Sequence, residues 1–346
     1  MRRCALVATS VGLSLVGALS AGCAAPRSVY VGVPSFDSST RSKAPTGAAD
    51  SGALAPAIPG RPGVGQDVSM VSGGVTRSYR LHLPLASPAG SRPLVIAFHS
   101  GGSSARGLTD DSGLDASADR NGVVVAYPEG IAGRWNTGLP SDIDKTGGVD
   151  DVAFIDDVIT SVSRAAKIDI MRVTVAGIGD GASMALRYAS LRPSVLGVVA
   201  FEGGLVAGAD PTRLRAAENV VLVRGDSDPS LPWTGIPAGS ASGPQLGISA
   251  TLSAFLEVDG LTGTKPIVNE VMPDRDPSDA TTVVHRVWGP GHGGTTVTLY
   301  VLKGGGGPWP GGLGDPKVTP TLGGVTRDLS GASVIIRFAL DTKRPA

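Results

Sequence analysis

Cysteine, histidine, aromatic residues and net charge are all scarce in this chain. The only cysteines are Cys4 and Cys23, both close to the N-terminus. Cys4 would leave with a signal segment, so the remainder can form no internal disulfide and must be stabilised by its core. Only four histidines are present, His82, His99, His285 and His292, so few imidazoles are available for proton transfer. Aromatics make up 4% of residues, and the formal net charge is zero. That balance lacks the basic footprint of a nucleic-acid-binding protein, and no nucleic-acid partner is implied. No spacing of metal-ligand residues stands out, and acidic stretches such as Asp274-Arg275-Asp276 read as solvated loop. No internal repeat is visible. What the chain does have is 346 residues, ample for a sizeable core, together with 50 glycines and 26 prolines, which predict many loops.

The N-terminus reads as a processing signal. Arg2 and Arg3 precede an apolar stretch, Ala5 to Ala18, that is too short and glycine-rich for a membrane span. Leu19-Ser20-Ala21-Gly22-Cys23 then resembles a bacterial lipobox, whose cysteine is lipidated and becomes the first mature residue. The alternative is an ordinary secretory signal cleaved near Ala24 or Ala25. Removing Arg2 and Arg3 from 30 basic residues leaves 28 against 30 acidic ones, so attachment would rest on lipid rather than on a basic patch. Residues 24–66 are rich in Ala, Pro, Gly and Ser without an apolar period, as in a flexible stalk. The expected organisation is a lipoprotein signal peptide over 1–22, a stalk over 23–66 and one folded domain over 67–346. The expected location is the outer face of a bacterial cell membrane, anchored through Cys23.

Beyond the stalk, strands and helices alternate. Thr76 to Leu83 has the polar–apolar alternation of a half-exposed strand. Pro93 to Phe98, Val123 to Tyr127, Arg172 to Ala176, Val195 to Phe201 and Val220 to Val223 are apolar runs suited to strands covered on both faces. Asp150 to Ala166 carries an apolar stripe at helical spacing, and its acidic first turn suits the helix dipole. Ser249 to Val258 predicts a helix, Val283 to Trp288 and Val297 to Leu302 predict late strands, and Ser330 to Leu340 predicts a closing helix. This order implies an α/β fold with a doubly wound, mostly parallel sheet and helices on both faces, with ligands bound beyond the carboxyl ends of its strands.

One further absence bears on function. Residues 173–182, Val-Thr-Val-Ala-Gly-Ile-Gly-Asp-Gly-Ala, run from an apolar strand through a glycine turn into a helix. That is the setting of the G-x-S-x-G nucleophile elbow of α/β-hydrolases, but the nucleophile position is Gly179. The same turn, Gly177 to Ala182, also satisfies the dinucleotide fingerprint G-x-G-x-x-G/A, with Glu202 placed where an acid would bind a ribose. Against that alternative, several strands precede the motif, and an exported protein has little access to nicotinamide cofactors.

A set of motifs in order points to a family. Arg77-Ser78-Tyr79-Arg80-Leu81-His82-Leu83-Pro84, the run His99-Ser100-Gly101-Gly102-Ser103-Ser104, Tyr127-Pro128-Glu129-Gly130 and Arg134-Trp135-Asn136 come first. Val149 to Asp156, Gly225-Asp226-Ser227-Asp228-Pro229 through Trp233, and Gly304 to Gly312 follow. Together they resemble the secreted polyhydroxybutyrate depolymerase and feruloyl esterase family over about residues 75–340. The resemblance implies an α/β-hydrolase fold, with the nucleophile at Gly179, the triad acid at Asp228 and the general base at Gly307. Two of the three catalytic side chains are therefore missing. The oxyanion hole would use the backbone N–H groups of Ser100 and Asp180. His99, Trp135, Trp233 and Trp309 would lie around the pocket, although core packing accounts equally well for the tryptophans.

No cofactor is implied. An acyl-enzyme needs a hydroxyl or thiol beside a base, and Gly179 and Gly307 offer neither. The favoured expectation is a catalytically silent or very weak esterase homologue that binds an ester, acyl or glycan ligand in the inherited cleft. A working carboxylic ester hydrolase with a relocated nucleophile is the main alternative. Ser100, Ser183 and Ser227 are its candidate nucleophiles, and His99 or His292 its candidate base. A purely structural surface protein would have the cleft filled by side chains.

Overall fold

In the computed structural model the described residues are 61–85, 89–192, 194–206, 219–237, 244–312 and 323–342. The expected signal segment, Cys23 and nearly all of the expected stalk lie outside them. The strands are β1 (Gln66–Ser72), β2 (Val75–His82), β3 (Arg92–Phe98), β4 (Val124–Pro128), β5 (Ile168–Ile178), β6 (Gly197–Phe201) and β7 (Asn219–Gly225). They are followed by the short pair β8 (Gly235–Ile236) and β9 (Gln245–Leu246), and by β10 (Val268–Val271), β11 (Thr282–Trp288) and β12 (Val297–Lys303). The helices are α1 (Ala105–Ser112), α2 (Leu114–Asn121), α3 (Pro140–Thr146), α4 (Asp151–Ala165), α5 (Asp180–Leu191), α6 (Ile248–Val258) and α7 (Gly331–Asp341).

Ten strands form one sheet in the order β1-β2-β4-β3-β5-β6-β7-β12-β11-β10. The six from β4 to β12 are parallel, whereas β2, β1, β11 and β10 add antiparallel edges. The central apolar runs are buried throughout, as both covered faces require. Alternation along β3 divides the core. Leu94, Ile96 and Phe98 face a cluster that includes residues of α4, α5 and α6. Val95 and Ala97 face a second cluster built with α1, α2 and α7.

Helix starts follow from caps. The Asp150 side chain accepts the Ala153 N–H at 3.0 Å and opens α4, and Ser330 does the same for α7 through Ser333 at 3.3 Å. Because the six central strands are parallel, the loops after β3, β5, β7 and β12 emerge at one edge of the sheet. There lie His99-Ser100, Gly179, Asp228 and Gly307.

Candidate active site

Gly179 joins β5 to α5 with φ 58° and ψ −124°. An L-residue rarely adopts such a backbone, and glycine does so without a Cβ penalty. Its N–H donates to the Phe201 carbonyl at 3.0 Å, and its carbonyl accepts from Ala182 and Ser183 as α5 begins. The flanking glycines are required by contact. A Cβ on Gly177 would stand 2.2 Å from the Gly181 carbonyl oxygen, and one on Gly181 would stand 2.3 Å from the His99 carbonyl oxygen. At Gly179 an added Cβ would meet only Ser100 among the described residues, with the Ser100 Cβ at 3.3 Å. The turn is thus sharp, held in a backbone conformation that suits glycine, with Ser100 in close contact with the position a side chain would take.

On the far side of the site, the loops after β7 and β12 lock together. Ser227 N–H donates to the Gly305 carbonyl at 2.9 Å, and a Cβ on Gly225 would lie 2.4 Å from the same oxygen. This close approach brings Gly307 against Asp228. A Cβ built on Gly307 would stand 3.3 Å from each Asp228 carboxylate oxygen. Asp228 is buried. Its Oδ1 accepts from Ser230 N–H (2.8 Å), Ser230 Oγ (2.6 Å) and Leu231 N–H (3.3 Å), whereas its buried Oδ2 has no partner among the described residues.

A family model for the PHB depolymerase esterases matches residues 77–240. Over 284 residues the chain is 32% identical to the protein named "Putative esterase NocK" from Nocardia uniformis subsp. tsuyamanensis, spanning 78% of this chain and 81% of that one. The chain belongs to the PHB depolymerase esterase family. Its backbone is similar to that of an acetyl xylan esterase from Aspergillus awamori, with a TM-score of 0.50 and 14% identity over 68% of this chain and 93% of that one. The fold is that of an α/β-hydrolase esterase.

Most of the family motifs read from the sequence build the frame of this esterase scaffold. Arg77 donates to Asp151 at 2.7 Å and to the Glu129 carbonyl at 3.1 Å, with its guanidinium 3.9 Å from the Phe154 ring centre. The other oxygen of Asp151 accepts the Asn136 N–H at 2.7 Å. One buried pair thus ties β2, α4, the loop after β4 and the Trp135-Asn136 turn. Burial raises the Asp151 pKa against the opposing effects of Asn136 and Arg77.

His99 occupies a different place from the one the sequence suggested. It is fully buried. Its Nδ1 pairs with the Ser100 carbonyl at 2.8 Å, and its Nε2 accepts the Gly130 N–H at 3.0 Å. Those partners assign the proton to Nδ1 and leave a neutral ring, in keeping with a pKa lowered chiefly by burial. Glu129 Oε1, 3.5 Å from Nε2, therefore faces no imidazolium. With both nitrogens engaged, His99 braces the turn and has no free atom to act as base or to line a pocket. Trp135 covers it, donating to the His99 carbonyl at 2.9 Å.

The other candidates also resolve. Trp135 lines a cavity of about 380 Å³ beside the elbow. Trp309 is buried against Phe201 with ring centres 4.7 Å apart, and Trp233 packs on the core; neither lines that cavity. Ser183 donates to the Gly204 carbonyl at 2.9 Å and is buried, and exposed Ser227 donates to Asp226. His82 is held by Asp119 under β2, His285 by Glu270 at the far sheet edge, and His292 by the Val258 carbonyl.

The dinucleotide alternative fails at Glu202. This residue is buried at the end of β6 with φ 47°. Its Oε1 accepts the Gly225 N–H at 2.7 Å, and its Oε2 lies 3.9 Å from Arg224 Nε. It is committed to the interior and cannot reach a ribose.

The sequence reading missed the polar wall of the cavity. Arg134, Thr137, Asp142, Lys145, Asp180 and Gln245 line it with Trp135. The Arg134-Trp135-Asn136 motif and the charged helix α3 were the available signals. Burial, reinforced by Asp142, raises the Asp180 pKa, and Arg134 and Lys145 oppose that rise. Among the described residues no group of three His, Cys, Asp or Glu side chains is placed to share a metal ion.

Proposed function

We propose that this esterase-family protein is a catalytically silent or very weak carboxylesterase homologue that keeps its ligand cleft. The observation that carries the reading is the pairing of two glycines at positions where acyl transfer needs a hydroxyl and a base. Gly179 holds the backbone of a nucleophile elbow without a hydroxyl, and the buried Oδ2 of Asp228 faces Gly307 without an imidazole. A triad-free site keeps on the order of 10³–10⁴-fold over water from its backbone donors and binding. That rate does not support polymer turnover. The cleft ligand is an ester, acyl compound or glycan, held beyond the strand ends next to Trp135.

The relocated-nucleophile alternative finds little support. Ser183 is tied to a carbonyl, His99 has both nitrogens engaged, and among the described residues no serine hydroxyl is paired with a histidine ring nitrogen. A filled, purely structural cleft is disfavoured by the cavity of about 380 Å³ beside the elbow. The direct test is labelling with a serine-directed fluorophosphonate. The intact mass should remain unchanged, and a stoichiometric adduct at any serine would overturn the reading.

The protein acts at the outer face of a bacterial cell membrane, held by lipid on Cys23. The lipobox-like run ending at Cys23 supports this. Cys23→Ala should shift the protein from the membrane to the soluble fraction, and unchanged membrane association would refute the anchor.

A further inference from the structure

We infer that Asp180 reverses the electrostatic preference of the turn at His99-Ser100-Gly101: its carboxylate excludes an anionic ligand group there and selects a hydrogen-bond donor, a hydroxyl or an amine, instead. The inference takes the role of this turn from the esterase reading and deepens it by naming the ligand group that meets the turn.

The first observation is where the carboxylate lies. Asp180 follows Gly179 and opens α5, so its N–H is one of the two that the esterase reading assigns to a developing oxyanion. Its side chain stays at the same place. A Cβ on Gly101 would collide with Asp180 Oδ2, with Asp180 Cγ 2.9 Å away and Asp180 Cβ 3.5 Å away. The carboxylate is therefore folded against the residue that follows Ser100, whose N–H is the second of the two. The second observation is access. Asp180 is half-buried and lines the cavity of about 380 Å³ together with Trp135. A ligand in the cleft meets this carboxylate directly.

Charge decides which group fits. Asp142 of α3 lines the same cavity, held by the N–H and hydroxyl of Thr137. Both carboxylates are half-buried, whereas Arg134 and Lys145, the cations of the same wall, are exposed to solvent, which screens them. His99 behind the turn is neutral, as its two hydrogen bonds require. The field at the turn is therefore negative, opposite to that of an oxyanion hole. A ligand carboxylate would meet Asp180 as a like charge in a partly desolvated site. A hydroxyl or an amine would donate to it in a charge-assisted hydrogen bond.

The test is NMR-monitored titration of the purified full chain and of its Asp180→Asn variant with butanol and with butyrate, at about pH 8, above the carboxylate range. The wild type should bind butanol more tightly than butyrate. Asp180→Asn should shift the ratio of the two affinities toward butyrate by about tenfold or more, the scale of one like charge at contact distance. An unchanged ratio, a wild type that prefers butyrate, or no butanol binding would each overturn the inference. Adding Asp180→Asn to Gly179→Ser/Gly307→His gives a second readout. Its kcat for a neutral nitrophenyl ester should rise about tenfold or more with KM little changed, because the carboxylate opposes charge that develops only in the transition state. In an active double variant, a change confined to KM, or none, would overturn the inference as well. A shifted ratio with a silent double variant would keep the selection by Asp180 and remove the hydrolase reading. An unshifted ratio with an active double variant would remove only the role of Asp180.

Discussion

A single methyl group separates a working elbow from an impossible one at Gly177. Its added Cβ would collide with the Gly181 carbonyl oxygen at 2.2 Å, and backbone cannot rotate away as a side chain can. Gly177→Ala should therefore cost more than the about 1–3 kcal/mol usual for overpacking. Among the described residues Gly179→Ala meets Ser100 alone and bears mainly the penalty of its positive φ, about 1–3 kcal/mol. Urea unfolding should rank Gly177→Ala as the more damaging, and the reverse order would refute this geometry. Asp180 gives a pH signature. Its pKa is raised in the folded state, chiefly by burial, so the folded chain holds this proton more tightly than the unfolded chain. Stability is then lost as pH rises from the unfolded aspartate value, about 3.9, through the raised folded value. Asp180→Asn has no proton to lose. Its stability relative to wild type should climb over that window and then level off. A wild-type–variant gap that stays constant across it would contradict the assignment. Legibility at this scale was uneven. The missing hydroxyl at Gly179 could be read because the flanking glycines mark an elbow. The engagement of both His99 nitrogens could not, because their partners are the Ser100 carbonyl and the Gly130 N–H, backbone groups whose placement no side-chain pattern records.

Between elements, the Arg77–Asp151 pair joins β2 to α4 with both side chains buried. Removing one partner strands the other charge, at a cost of about 3–5 kcal/mol. Asp151→Ala should show that loss in urea unfolding. A double change of Arg77→Met with Asp151→Leu should recover much of it, because it buries no unpaired charge. Equal destabilisation by both would show that this pair does more than satisfy its own burial. Long apolar runs made β3, β4, β6 and β7 legible, and a full amphipathic stripe did the same for α4. The elements missed are those with weak periods. Helices α1 and α2 have eight residues each and are separated by Gly113 in the left-handed region. Helix α3 is a charged seven-residue turn of chain. Strands β1 and β10 are edge strands whose register comes from their neighbours β2 and β11.

For the whole molecule, a sheet with six parallel central strands collects four loop ends at one edge, and this is why chain order alone placed the site. Gly179, Asp228 and Gly307 follow β5, β7 and β12, strands that are neighbours or near neighbours in the sheet. Their alignment was legible from the order of family motifs. The cavity beside Trp135 was not, since its wall joins the loop after β4, helix α3, helix α5 and strand β9, which no local pattern links. If, as proposed, this cleft is an esterase site lacking two side chains, restoring both should restore hydrolysis. It is tested by measuring hydrolysis of short-chain nitrophenyl esters and methyl ferulate by the wild type and by Gly179→Ser/Gly307→His. The wild type should be silent and the double variant about 10²-fold or more above it, the contribution expected from a restored acid–base pair. An active wild type, or a folded double variant that remains as silent as its parent, would contradict it.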